Sequence, residues 1–179
     1  MIRAGLALAA ALMPVAMMPV GLRAAEPPCL LPDEFAALAT YALPDVITGV
    51  AQKCGPTLGA NAYIKTDGPA MIARYGAARG AAWPGAKAAL AKMSAGTEGE
   101  MGALLRGLPD ANQQALLTTI VAGVVAEKLP AERCGAIDTT LRLMAPLPPE
   151  NTAQIIGLAV GLGSRTGQAR LGKFQICNP

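Results

Sequence analysis

The chain has 179 residues, of which 53% are hydrophobic, 3% are aromatic and 15% are charged, and its net charge is +3. No run of Lys or Arg occurs, so the electrostatic pattern of a nucleic-acid-binding protein is absent. The chain contains no histidine, which removes Ser-His-Asp and Cys-His nucleophile systems and His-ligated zinc catalysis from its available chemistry.

Residues 1–24 have the pattern of a secretory signal peptide. Arg3 stands near the start, residues 4–22 carry no charge, and Arg23 and Ala24 follow. The uncharged run approaches the length of a membrane span, so an uncleaved anchor is the alternative. Proline residues interrupt the run, and Arg23 would lie on the translocated side, which favours cleavage. We therefore expect an exported chain, periplasmic or secreted, that comprises residues 25–179 and has no stable membrane span.

The composition of residues 25–179 predicts an all-α fold. Alanine and leucine favour helices, whereas the β-branched and aromatic residues that favour strands are scarce. The length suffices for one hydrophobic core without help from a metal. We expect a single compact domain of about seven or eight short helices with irregular or orthogonal packing, held by two disulfides.

The first predicted helix opens at Pro32 and ends at Cys54. Gly55 follows Cys54 and is typical of a residue that terminates a helix. Pro44 interrupts the apolar pattern between these ends, because proline removes one helical hydrogen bond and clashes with the preceding turn. The sequence therefore predicts a kinked or broken helix pair in this stretch.

Three further helices are predicted before residue 109, and residues 55–68 form an irregular stretch ahead of them. Proline and capping residues near the start of each helix indicate its first turn. These helices cover residues 69–80, the stretch from Trp83 to Met93, and a segment opened by a capping box of Thr97 and Glu100.

Three helical patterns follow in the second half of the chain. The pattern over 109–129 carries a wide apolar stripe formed by Leu116, Leu117, Ile120, Val121, Val124 and Val125. The pattern over 131–144 has one inward apolar face formed by Cys134, Ile137, Leu141 and Met144. The pattern over 150–163 has small residues at four-residue steps, which predict the close approach of another helix at Ala153, Gly157 and Gly161.

The even number of cysteines predicts two disulfides in an exported chain, formed by Cys29, Cys54, Cys134 and Cys177. Their wide spacing does not fit a structural zinc site. An antiparallel hairpin of 131–144 and 150–163 would return the chain towards Cys134, so we expect Cys134 to pair with Cys177. Cys29 would then pair with Cys54. This second pairing requires the chain to fold back, because the Cα atoms of bridged cysteines lie within about 7 Å.

Residues 63–83 contain the mixture of side chains that is most typical of a contact surface. The candidate surface consists of Tyr63, Lys65, Asp67, Arg74, Tyr75, Arg79 and Trp83. Tyr, Trp and Arg are common interface anchors, and Tyr75 and Arg79 have the spacing that lets two helical side chains stack. The structural interpretation, which we favour, is that Tyr75 and Trp83 fill the edge of the core and the arginines are solvated.

The sequence indicates no catalytic, cofactor-binding or metal-binding residues. Ser94 and Ser164 are the only serines, and neither has the strand–turn–helix setting of a nucleophile. Glycoside cleavage needs two carboxyl groups held about 5 to 9 Å apart. The acidic residues here stand mostly at predicted helix starts, where the helix dipole explains them.

These features predict a non-catalytic exported protein that binds another protein of the cell envelope and uses no cofactor. Two alternatives are a carboxylate-dependent hydrolase of envelope material and a carrier of an apolar ligand. The apolar stripe over 109–129 would line the cavity of such a carrier.

Overall fold

The computed structural model describes residues 29–95, 107–165 and 175–177. These residues confirm a compact all-α fold with two disulfides. The helices are α1 (Pro32–Cys54), α2 (Tyr63–Thr66), α3 (Gly68–Gly76), α4 (Arg79–Ala95), α5 (Asp110–Lys128), α6 (Cys134–Met144) and α7 (Pro149–Arg165). A 3-10 turn precedes α6, and two short parallel strands pair as β1 (Cys29–Leu30) and β2 (Gln175–Ile176). The predicted signal peptide and the predicted capping box lie outside the described residues.

The other helices pack around α1. Pro32 stands in its first turn, where a missing N–H costs nothing, and the Glu34 carboxylate accepts a hydrogen bond from the Leu31 amide at 2.9 Å. Helices α3, α4, α5 and α7 all contact α1. The main core therefore runs along this helix and includes Ile47 and Val50.

Pro44 does not divide this helix. Of the predicted kinked or broken helix pair, the break is wrong, because α1 continues through Pro44 from Pro32 to Cys54. Pro44 has no N–H for the carbonyl of Thr40, a loss that costs roughly 3 kcal/mol in an isolated helix. Leu43, Pro44 and Ile47 are all buried against neighbouring helices. Tertiary packing therefore outweighs the local preference of proline.

The small residues of α7 pack against α1. Ala153 is fully buried, and a Cβ atom built on Gly157 would lie 3.0 Å from the Phe35 ring. The predicted close approach is therefore confirmed at these two residues, whereas the Cβ position of Gly161 faces open space. The predicted inward face of α6 is also confirmed, since the core contains Cys134, Ile137, Leu141 and Met144.

The apolar stripe of α5 is divided between the core and the surface. Leu117 and Val125 pack against core residues, but Leu116, Ile120 and Val124 are exposed. Neighbouring helical residues differ by about 100° in direction, so the stripe is too wide for α1 to cover. Neither α5 nor any other helix of the described ranges is long and apolar enough to cross a membrane.

The cysteines pair differently from the prediction. Cys54 bonds to Cys134 with the Cα atoms 5.3 Å apart, and Cys29 bonds to Cys177 with the Cα atoms 5.0 Å apart. The unbroken helix α1 holds its two ends roughly 35 Å apart, so Cys29 cannot reach Cys54. α7 packs along α1 instead of returning the chain to Cys134. The C-terminal strand therefore meets β1, where the Cys177 amide donates to the Leu30 carbonyl at 2.8 Å.

Candidate functional site

The structure buries two aromatic residues of the predicted contact surface. Tyr75 is 0% exposed and Trp83 is 8% exposed, so both belong to the core. The Tyr75 hydroxyl shares a hydrogen bond of 2.9 Å with the Thr152 hydroxyl, and Trp83 Nε1 donates to the Asp110 carboxylate at 2.9 Å. These bonds join α3 to α7 and α4 to α5. The structural interpretation of these two aromatic residues agrees with this arrangement.

Arg79 joins three helices and does not stack on Tyr75. Its guanidinium forms an ion pair with the buried Asp45 carboxylate and donates to the Tyr41 carbonyl at 3.1 Å and to Thr118 Oγ1 at 3.2 Å. It lies 4.9 Å from the centre of the Tyr41 ring. Burial raises the pKa of the Tyr41 hydroxyl, and the nearby Arg79 charge offsets part of that rise. The expected solvated arginine is therefore a half-buried structural connection between α4, α1 and α5.

The remaining residues of the predicted surface are exposed or half-buried, namely Tyr63, Lys65, Asp67 and Arg74. The Lys65 ammonium donates to the Leu58 carbonyl at 2.6 Å, and Arg74 donates to the Ala145 carbonyl at 2.5 Å. Burial raises the pKa of the Tyr63 hydroxyl. Lys65 and Arg74 therefore bond to carbonyl groups of their own chain.

Asp138 is a buried acid that the sequence did not single out. Its carboxylate accepts the backbone N–H groups of Tyr63 at 3.1 Å and Ile64 at 2.8 Å. These two groups open α2, so Asp138 caps that helix from α6. Its role is structural, since it holds a four-residue helix that could not persist alone.

A groove of about 240 Å³ lies between α1, the start of α4 and the start of α7. Its walls are mainly alanine methyl groups, from Ala36, Ala37, Ala78, Ala81 and Ala82. Thr40, Glu150 and Gln154 supply its polar atoms. We refer to these eight residues as the alanine groove. Part of one wall belongs to the stretch 63–83, but small residues line it in place of the predicted aromatic and charged ones.

Thr40 is a polar residue in the lining of the alanine groove. The residue is 4% exposed, and its hydroxyl has no hydrogen-bond partner among the described residues. No fully buried side-chain oxygen or nitrogen in the described ranges lacks a partner, so the Thr40 hydroxyl keeps some contact with solvent. The Thr40 carbonyl also lacks its usual helical donor, because Pro44 has no N–H. Thr40 therefore combines two polar groups without a usual partner with a place in the groove lining.

Glu150 places a negative charge at the rim of the alanine groove. It stands in the first turn of α7, where the helix dipole stabilises a carboxylate. Gln154 lies one turn later on the same face and also lines the groove. Glu150 is exposed and forms no ion pair within the described part of the chain. The groove thus combines apolar walls with one uncompensated carboxylate.

The described residues contain no group of three or more Cys, Asp or Glu side chains that could hold a metal ion. Glu150 is the only acid among the residues that line the alanine groove. The arrangement can therefore bind a cationic group through a charge-assisted hydrogen bond.

Sequence reasoning missed the alanine groove because alanine carries no chemical signal. Alanines occur throughout the chain, and Glu150 has the position of an ordinary helix-start acid. Thr40 could have been noticed from its place four residues before Pro44, where proline removes a backbone donor. Comparisons of the chain with protein families, curated proteins and solved structures find no match.

Proposed function

We propose that this chain is an exported, non-catalytic binding protein of the cell envelope, and that its alanine groove receives a lysine side chain of a partner protein. The observation that carries the proposal is the Glu150 carboxylate, which has no ion-pair partner among the described residues and lines a groove walled mainly by alanine. Lysine combines a flexible aliphatic stem with a compact ammonium group, so its stem fits the alanine walls and its charge reaches Glu150.

The two disulfides support the proposal that the chain is exported. Both cystines join segments that are far apart in the sequence, with separations of 148 and 80 residues. Disulfides of this kind persist outside the reducing cytosol. Together with the signal-like pattern of residues 1–24, they favour a periplasmic or secreted protein.

The size and charge of the groove favour one side chain over the alternative occupants. A volume of about 240 Å³ lies below the range of roughly 300 to 1,000 Å³ that is typical of pockets for whole small molecules. A carrier of a lipid-sized ligand needs a larger cavity. A single lining carboxylate also differs from the carboxylate pair of a glycoside hydrolase.

Zero-length carbodiimide crosslinking tests this proposal, because it joins a carboxylate only to an amine in direct contact. The purified exported chain would be treated in a native envelope fraction, and crosslinked peptides would be identified by mass spectrometry. We expect Glu150 to be joined to a lysine of another protein. The exposed acid Glu132 serves as the internal control, because it lies on the 3-10 turn and does not line the groove.

The decisive variant is Ala81→Met, which fills the alanine groove and leaves the Glu150 carboxylate in place. Ala81 is exposed on α4, so the longer side chain extends into the groove without entering the core. We expect this variant to lower the Glu150 crosslink at least about fivefold and to leave Glu132 products unchanged. An unchanged Glu150 yield, or no crosslink from Glu150 to another protein, would refute the proposal.

A further inference from the structure

The two disulfides differ in their access to solvent. Cys54 is 0% exposed and Cys134 is 2% exposed, and both belong to the main core. Cys29 is exposed and Cys177 is half-buried. A thiolate must reach a sulfur atom before it can reduce a disulfide. The folded protein therefore presents the Cys29–Cys177 bond to a reductant, whereas reduction of the Cys54–Cys134 bond first requires an opening of the core.

The Cys29–Cys177 bond fastens two very short strands. β1 and β2 have two residues each, and Cys29 lies opposite Gln175 while Leu30 lies opposite Ile176. The Cys177 amide adds a hydrogen bond of 2.8 Å to the Leu30 carbonyl. Isolated two-stranded hairpins are marginally stable in water. This parallel ladder is shorter than most hairpins and has no connecting turn, so the disulfide is what holds it closed.

The strand β2 packs on an apolar cluster at the start of α1. Leu30 and Phe35 are buried in this cluster, and Ile156, Val160 and Ile176 pack against them. β2 contacts both β1 and α7. Ile176 is half-buried, whereas Leu30 beside it is 2% exposed. Departure of β2 would therefore remove Ile176 from the cluster and bring Leu30 into contact with water.

We propose that the Cys29–Cys177 disulfide is a redox-sensitive latch, which a dithiol reductant opens while the Cys54–Cys134 disulfide stays intact. One thiolate of the reductant attacks Sγ of Cys29, forms a mixed disulfide and releases the Cys177 thiolate. The second thiolate of the reductant then attacks the reductant's own sulfur in this mixed disulfide and releases the Cys29 thiolate. Two electrons pass to this chain, both of its thiolates take up protons, and the reductant becomes a disulfide.

The open form of the latch keeps the helices and loses the strand pair. The buried Cys54–Cys134 bond still joins α1 to α6, so the main core stays in place. A protein with two cysteines close in its sequence supplies the dithiol that this reaction needs. Exposed disulfides are commonly the regulatory ones. Neither Cys29 nor Cys177 lines the alanine groove, so the inference does not rest on the proposed function.

Brief treatment of the native chain with dithiothreitol tests the selectivity of reduction. Samples would be quenched with iodoacetamide at intervals, and alkylated peptides would be quantified by mass spectrometry. We expect Cys29 and Cys177 to be alkylated at least about a hundredfold faster than Cys54 and Cys134. Urea below the unfolding transition should narrow this ratio, because it makes opening of the core more frequent. Equal rates for the two bonds without urea would overturn the proposal.

Hydrogen exchange tests whether selective reduction opens the strand pair. The amide at position 177 should exchange at least about tenfold faster in the reduced form, because its hydrogen bond to the Leu30 carbonyl is lost. The double variant Cys29→Ser/Cys177→Ser should show the same fast exchange without any reductant. Amides near Ile47, in the centre of α1, are the internal control and should exchange at the same rate in all forms.

Circular dichroism distinguishes a latch from a bond that the whole fold needs. Selective reduction should leave the helical signal unchanged and should increase the fluorescence of anilinonaphthalene sulfonate, a dye that binds exposed apolar surface. Unchanged exchange at position 177 after selective reduction would overturn the proposal. Loss of the helical signal, in the reduced wild type or in the double variant, would also overturn it.

Discussion

Helices α1 and α5 are the two longest of the described helices, with 23 and 19 residues, but the fold uses them in opposite ways. Ten residues of α1 are buried, whereas Ala122 is the only buried residue of α5. Both helices are mainly apolar, so composition does not separate them. The difference arises because α1 has neighbours on most of its circumference, and α5 contacts chiefly α1.

The comparison shows that the same kind of sequence can form a core or a surface. α1 contains a proline and a buried aspartate, which are unfavourable inside a helix, and both are held by the surrounding helices. α5 has no internal proline and keeps a wide apolar face outside. Burial therefore follows the arrangement of neighbours more closely than helix propensity does. Four changes test this contrast, in decreasing order of expected effect.

Loss of the Cys54–Cys134 disulfide should have the largest effect, because it fastens the C-terminal end of α1 to α6. The double variant Cys54→Ala/Cys134→Ala frees a loop that spans a separation of 80 residues. We expect a loss of about 4 kcal/mol in the free energy of unfolding, since the unfolded chain gains entropy. Urea denaturation at pH 7 measures it. A decrease of less than about 1 kcal/mol in the free energy of unfolding would contradict the prediction that this attachment of α1 to α6 stabilises the fold.

Removal of the charge on Asp45 should have the next largest effect. Asp45→Ala leaves the Arg79 guanidinium without its ion pair, in a position where both side chains are largely withdrawn from water. We expect a loss of about 3 kcal/mol, the lower end for breaking a buried pair, because Arg79 keeps some solvent contact. Glu132→Ala is the control. It removes an exposed acid and should change the free energy of unfolding by less than about 0.5 kcal/mol. If both variants change the free energy of unfolding equally, the ion pair between Asp45 and Arg79 does not stabilise the fold.

Two glycine substitutions compare the helices directly. A Cβ atom on Gly49 of α1 would lie 2.5 Å from the Ala122 carbonyl oxygen, whereas the same atom on Gly123 of α5 meets nothing within 4 Å. Gly49→Ala should therefore destabilise the protein by about 1 to 2 kcal/mol, because overlap with a backbone atom exceeds the helix-propensity gain. Gly123→Ala should stabilise it by up to about 1 kcal/mol. Thermal unfolding of both variants checks these opposite signs.

Acid should weaken the attachment of α5 to α4, with the smallest effect of the four. Hydrogen bonds from Lys87 and then from Trp83 hold the pKa of Asp110 below its ordinary value. A lowered folded-state pKa contributes stability above the unfolded pKa of about 3.9, and this contribution is lost as the pH falls through the folded value. Between pH 5 and pH 2, the urea midpoint of the wild type should fall further than that of Asp110→Asn. If the urea midpoints of both proteins fall equally with pH, the Asp110 carboxylate does not contribute to the pH dependence of stability.

The start of α1 provides the reference for this last experiment. Lys92 on α4 bonds to Glu34 in the first turn of α1, and these contacts lower the pKa of Glu34 as well. The two long helices are therefore fastened to α4 in the same way, although one is buried and the other is not. Glu34→Gln, like Asp110→Asn, should therefore reduce the fall of the urea midpoint between pH 5 and pH 2.

The sequence by itself determined the fold class and the approximate ends of α1, α5, α6 and α7, but it missed α2 and misplaced the boundary between α3 and α4. Proline and glycine act within a turn or two, so Pro32, Gly55 and Pro130 identify boundaries without knowledge of the rest of the fold. Apolar periodicity likewise identified the inward face of α6, with Cys134 and Leu141 buried. The even number of cysteines was also enough to predict two disulfides.

Only the tertiary structure decided which elements meet. The pairing of Cys54 with Cys134, the continuity of α1 through Pro44 and the exposure of Ile120 all depend on contacts between segments that are distant in the sequence. The alanine groove has the same origin, because three helices must come together before methyl groups enclose a space around Thr40. Local chemistry sets the elements of this chain, and long-range packing sets which faces are core, groove or surface.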